Sequence, residues 1–189
     1  MALLSIKKRK EFFKKIGLGD YTASSILILQ KRYFPRKKDH DGIYGKDTDI
    51  LLRHVVNCFD VPDFIPEEFC CECGGMYCTG YPTWIRYKTV SFMQKIRNYV
   101  GRPVYITSGL RCKKQNQIDG GISSSKHMTG TAVDYFIPNM TFNLKDRKDL
   151  INIIKKWDNH DYSYCNGYDS NGDNRIAKTM GTSIHTQTK

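Results

Sequence analysis

The chain has 189 residues, with 30 Lys and Arg against 19 Asp and Glu for a formal net charge of +11, and is 40% hydrophobic and 12% aromatic. That length accommodates one ordinary domain or a small module joined to a medium one, and the apolar content excludes a wholly disordered polar chain. The basic excess favours anionic partners, whether nucleic acid, anionic lipid or the phosphate-rich polymers of a bacterial wall, and charge alone does not choose among them.

At the N-terminus, MALLSIKKRKEFFKK places its charges after a short apolar run, the reverse of a secretory signal, so synthesis in the cytoplasm is expected. Residues 7–16 predict a basic helix with Phe12, Phe13 and Ile16 on one side, ended by Gly17 and Gly19. A second helix, SSILILQKRYF, follows polar residues able to cap it (Thr22, Ser24, Ser25) and is stopped by Pro35. RKKDHDGIYG reads as a loop in which Gly42 and Gly45 can take positive φ. KDTDILLRHVVNC then predicts a third helix, with Ile50, Leu51, His54 and Val55 at helical spacing.

The order of an LILQKRYF helix, a loop with Asp41-Gly42-Ile43-Tyr44-Gly45 and Thr48, and an apolar helix resembles the peptidoglycan-binding domain of many wall hydrolases. The resemblance covers about residues 5–58 and implies a three-helix bundle that binds peptidoglycan. The residues also explain themselves as structure: glycines for a tight loop, Tyr44 for packing, and Asp47 or Thr48 at a helix start.

Residues 59–82 hold three prolines, three glycines and four of the seven cysteines, and read as a linker that becomes an irregular entry loop. From Thr83 the pattern turns helical, with Thr89, Met93, Ile96 and Val100 as one buried face and Gly101 and Pro103 as the stop. PVYITSG and TAVDYFI read as strands, and KDRKDLINIIKKW as an amphipathic helix with Leu150, Ile153, Ile154 and Trp157 inward. HDYSYCNGYDSNGDNR reads as loop, before a short last strand around SIHTQ. The expected class is α+β: a small N-terminal three-helix bundle (1–58), then a domain (59–189) with a central antiparallel sheet flanked by helices. No run of apolar residues reaches the ~20 that span a bilayer.

The chemistry concentrates in ITSGLRCKKQNQIDGGISSSKHMTGTAVDYF. His127 and Asp134 lie seven apart across a loop-to-strand turn, and His185 near the end offers a third ligand. Two imidazoles and a carboxylate suit catalytic zinc, which keeps a fourth position for water and lowers that water's pKa to about 7. Ser125-x-His127-x-x-Gly130-x-Ala132-x-Asp134, preceded by Ser108-Gly109-x-Arg111 and followed by His185, resembles the zinc D-Ala-D-Ala carboxypeptidase and L-Ala-D-Glu endopeptidase family, which includes phage endolysins and shares its zinc-site fold with hedgehog signalling domains. Over residues 59–189 the resemblance implies that His127, Asp134 and His185 bind Zn2+. It also implies that Arg111 steadies the scissile carbonyl or a substrate carboxylate and that Ser125 contacts the peptide. The substrate would be peptidoglycan at the bacterial wall, cut by a monomer without nucleic-acid partner. His40, His54 and His160 are not expected as ligands.

The family pattern has an acidic residue three before the last histidine, or Asp or His two after it, where this chain has Thr182 and Gln187. Gln cannot take a proton, which leaves Asp169 or Asp173 as bases, or Gln187 positioning a water. A non-catalytic wall-binding protein with a vestigial zinc site is the competing reading. Cys70, Cys71, Cys73 and Cys78 are close enough to admit a structural zinc. Family resemblance pairs Cys71 with Cys112 instead, as a contact or a disulfide, and free thiols are the third option.

Overall fold

The structure is a computed structural model and describes residues 2–34, 36–58, 60–78 and 85–189. The fold is α+β, with six helices and a five-stranded antiparallel sheet among these residues. Pro35, Thr83 and parts of the entry loop (Phe59 and residues 79–82), on which expectations rested, lie outside them.

Helices α1 (Ile6–Lys15), α2 (Ala23–Tyr33) and α3 (Lys46–Cys58) enclose one apolar cluster built on Phe13, Leu29, Leu51, Leu52 and Val56. Ser5 and Thr22 cap the first two, each side chain accepting a backbone N–H three residues on. On α3 the inward stripe is Leu51, Leu52, Val55 and Val56, whereas Ile50, although at helical spacing, is 44% exposed. The buried Gln30 organises the loop between α2 and α3. Its amide N–H groups donate to Asp41 Oδ1, the Ile43 carbonyl and Thr48 Oγ1, and its Oε1 accepts from Gly42 N at 2.8 Å. Gly42 takes the positive φ of +70°, and Gly45 does not. Tyr44 lies under Arg9 and donates to the buried Asp49, which also accepts from Leu4 N and Arg53.

Helix α4 (Tyr87–Val100) ends at Gly101 in the left-handed conformation, with Thr89, Met93 and Ile96 buried. Strands β1 (Tyr105–Ser108) and β2 (Ala132–Phe136) flank a short helix α5 (Lys113–Ile118) that the sequence reading did not anticipate. Helix α6 (Leu144–Ile154) buries Leu150, Ile151 and Ile154, so Ile151 takes the core place expected of Ile153. Strands β3 (His160–Cys165), β4 (Tyr168–Asp169) and β5 (Ile184–Thr188) complete the sheet in the order β1-β2-β5-β3-β4.

The stretch expected as loop from His160 therefore holds two strands, β3 and the two-residue β4. Its polar composition hid the alternation, because Ser163 is fully buried yet bonded to His160 Nε2 and Thr186 Oγ1, so a hydroxyl fills a core-facing position at no cost in unpaired polar groups. One face of the sheet (Val133, Tyr135, Cys165, Ile184) packs with α4, α6 and Phe69 into the second apolar cluster. The other face is polar and carries the site. Among the described residues no helix is long and apolar enough to cross a membrane.

Candidate metal centre

Strand register gathers the polar face. Ser108 pairs with Asp134, Asp134 with His185, and His185 with Tyr164, so four strands contribute to one row. Residues directly opposite in antiparallel strands project to the same side, which places Asp134 and His185 together although 51 residues separate them. Gln187, two residues along β5, shares that side.

His127 enters from a 3-10 turn (Lys126–Thr129) closed by Gly130 in the left-handed region. Its Nδ1–H donates to the Gly109 carbonyl at 2.6 Å, which leaves the Nε2 lone pair facing Asp134 and His185. Gly109 has a packing reason for being glycine. The chain at Phe69 runs so close that an added Cβ would stand 2.6 Å from that residue's Cα and carbonyl oxygen. The glycine of the Ser-Gly-x-Arg string thus lets the entry loop dock, and its carbonyl orients the histidine.

His127 Nε2 lies 3.2 Å from His185 Nδ1 and 3.4 Å from Asp134 Oδ2, and His185 Nδ1 is 2.7 Å from Asp134 Oδ1. One ligand atom from each residue falls within 4.8 Å of the others, and all three residues are buried. Zinc with ligands at ~2.0–2.2 Å has tetrahedral edges of about 3.4 Å, so two separations already match and the third is a hydrogen-bond length. Gln187 completes the fit. Its amide nitrogen is 3.0 Å from His185 Nε2. With the amide turned over, Oε1 accepts from Nε2–H and the Nδ1 lone pair is free for a cation. The donor set, its orientation by Gly109 and Gln187, and the burial all suit zinc.

The electrostatics agree. Burial alone would push the Asp134 carboxyl up, but in the metal-free site protons carried by the facing His127 and His185 rings, as hydrogen-bond donors and positive charges, hold it well below the usual carboxylate range. Burial lowers His185 against the pull of Asp134 and favours the neutral ring that ligates a metal. Arg111 donates to Asp134 Oδ2 at 2.8 Å and Ser108 Oγ at 2.8 Å, and its Nε is 3.3 Å from Asp119.

Above these residues opens a cleft of about 510 Å³ lined also by Ser125, Glu72, Asp119, Tyr164 and Arg175. Ser125 starts the turn that carries His127, and its side chain is not used to cap it. The Tyr164 ring packs on His185 with centroids 4.6 Å apart, and Arg175 stacks over Tyr164 at 3.9 Å. Asp169 and Asp173 are not among the cleft residues. Asp169 accepts from Tyr162 and from the N–H groups of Asn171 and Asp173, which makes it the organiser of a turn. The carboxylates at the cleft besides Asp134 are Glu72 and Asp119. Glu72 was missed because its neighbours are cysteines on an irregular loop. His40, His54 and His160 join no metal-binding group among the described residues.

No curated protein matches the chain. The family model described as Peptidase M15 matches residues 62–176, a span that takes in Arg111, Ser125, His127 and Asp134 and stops before His185, whose inclusion rests on the strand pairing and the side-chain distances. With most of its length under that match, the chain belongs to the Peptidase M15 family of metallopeptidases.

Proposed function

We propose that this protein is a zinc peptidase that hydrolyses peptide bonds in the stem peptides of bacterial peptidoglycan, as an endolysin-like wall hydrolase. The bond lies between two D-alanines or between L-alanine and D-glutamate. The observation that carries this reading is the convergence of His127, Asp134 and His185 at the floor of an open cleft. A structural site would be closed by a fourth protein ligand, and this one faces space.

A zinc ion held there would supply Lewis acidity, lowering the pKa of water from about 15.7 to about 7 and polarising the scissile carbonyl. Glu72, at the cleft edge, is the group that takes the proton of the attacking water and returns it to the leaving amine. Arg111 keeps Asp134 ionised and oriented, and adds positive charge where the carbonyl oxygen becomes negative. Ser125 contacts the peptide backbone. Arg175, lying over the Tyr164 ring, offers a cation to a substrate carboxylate.

Residues 1–58 act as a wall-binding module and 59–189 as the peptidase. A cavity of about 430 Å³ beside the Gln30-organised loop, lined by Arg36, Asp41 and Thr48 among others, is the candidate subsite for wall glycan or peptide. The +11 charge raises the local concentration of a monomeric enzyme at anionic wall polymers, and the tether adds effective concentration. The enzyme acts at the cell wall.

Digestion of purified sacculi and defined muropeptides, with mass spectrometry of the fragments, tests the activity and reports the bond cut. Unchanged release of fragments by the His127→Ala variant, or in the presence of a chelator, would refute the zinc mechanism. No release by the zinc-loaded parent protein would favour a binding role instead.

A further inference from the structure

A second donor cluster stands outside the His-Asp-His centre. Cys71, Cys73, Cys78 and Cys112 each offer a sulfur, and the four lie within 4.8 Å of one another. Three come from the entry loop and the fourth from the residue after Arg111, more than thirty positions along the chain. A tetrahedron of thiolates around zinc at ~2.3 Å has edges of about 3.8 Å, and the Cys73 and Cys78 sulfurs are 3.5 Å apart, far beyond a covalent S–S length of ~2.05 Å.

Backbone N–H groups are aimed at these sulfurs. Cys112 N–H donates to Cys71 Sγ at 3.3 Å and Gln115 N–H to Cys112 Sγ at 3.4 Å. The N–H groups of Gly75 and Tyr77 turn onto the Cys73 sulfur, through a bend in which Gly74 and Gly75 both take positive φ. A neutral thiol is a weak acceptor and does not need so many donors, whereas an anionic thiolate does. Cys165, in the apolar core beside the Tyr168 N–H and Arg147, and Cys58, at the end of α3 between the Tyr87 N–H and the Ile85 carbonyl, also receive donors, but neither joins a cluster of ligand atoms among the described residues.

We infer that Cys71, Cys73, Cys78 and Cys112 form a closed, structural zinc site that fastens the entry loop to the Arg111–Cys112 segment. Loading displaces the thiol protons to solvent, the ion takes four thiolate ligands, and no redox partner is involved. The site leaves no open position and has no direct part in hydrolysis. Its consequence is positional: the same clamp fixes the backbone next to Arg111, which bonds Asp134, and the two residues that flank Glu72.

The full chain, purified under reducing conditions, should hold about two zinc ions as measured by elemental mass spectrometry, and the His127→Ala/His185→Ala variant about one. In that variant cobalt substitution should give the thiolate-to-cobalt charge-transfer absorption of an all-sulfur site. Adding Cys73→Ser and Cys78→Ser should abolish both the absorption and the remaining metal. A second measurement needs no cysteine variant: added zinc should slow alkylation of the four thiols by at least ~10-fold, with Cys58 and Cys165 as internal references. A double-histidine variant that holds no metal, equal alkylation with and without zinc, or a Cys73–Cys78 disulfide in the zinc-loaded protein would each overturn the assignment. Because the histidine variant lacks the hydrolytic centre, failure of the clamp is separable from failure of the peptidase reading.

Discussion

The N-terminal bundle and the sheet domain each bury a polar network, and the two differ in where their bonding capacity goes. Gln30 spends its amide on Asp41, Gly42, Ile43 and Thr48, so the network is satisfied within the loop it shapes. In the sheet domain three lone-pair donors converge on each other beneath an open cleft. A polar network that closes on itself holds a fold together. One that leaves converging donors beside solvent is prepared for a ligand.

The sharpest break of this contrast is His127→Ala. It should reduce wall-peptide hydrolysis to background, a loss of at least ~10⁴-fold, while the melting curve of the metal-free protein changes little; elemental analysis and muropeptide release read the two effects. Glu72→Gln should lower kcat by ~10²–10⁴-fold with zinc content unchanged, and a variant of full activity would remove Glu72 from proton transfer. In the bundle, Gln30→Ala strands several loop groups at once and should cost about 2–3 kcal/mol in denaturant titration, with catalysis on small muropeptides intact. Gln187→Ala should weaken zinc affinity by ~10–100-fold, as expected for a group that orients a ligand, and competition with a metal chelator measures it.

The smallest expected effect is a pH dependence. Burial depresses His54 to about 4, below its ordinary 6.5. The unfolded chain then binds the proton more tightly, so the stabilisation is complete above about pH 6.5 and is lost as pH falls toward 4. Discounted for partial exposure, this amounts to about 1 kcal/mol between pH 7 and pH 5, and His54→Gln should flatten that part of the stability profile.

Legibility in the sequence followed the range of the forces involved. Helix α3 begins and ends where the KDTDILLRHVVNC pattern does, and Thr22 caps α2 as read, because capping and periodicity are local. The inward residues were read less well, since Ile153 has the right spacing and lost its core place to Ile151, two positions away. Strand β3 was invisible because its buried hydroxyl is satisfied in part by Thr186 of β5, and the cysteine cluster was read with Cys70 where the fold supplies Cys112.

By itself the sequence determined the chemical inventory: two imidazoles, a carboxylate, a guanidinium and a run of thiols, with glycines where the backbone must turn or approach closely. Tertiary structure decided which of them meet. The antiparallel register of β2 and β5 pairs Asp134 with His185, the docking of Phe69 on Gly109 brings Glu72 to the cleft, and the same docking carries Cys71 to Cys112. Such pairings join positions tens of residues apart, and they are fixed by burying one face of the sheet against helices, a cooperative event that no short window of residues encodes.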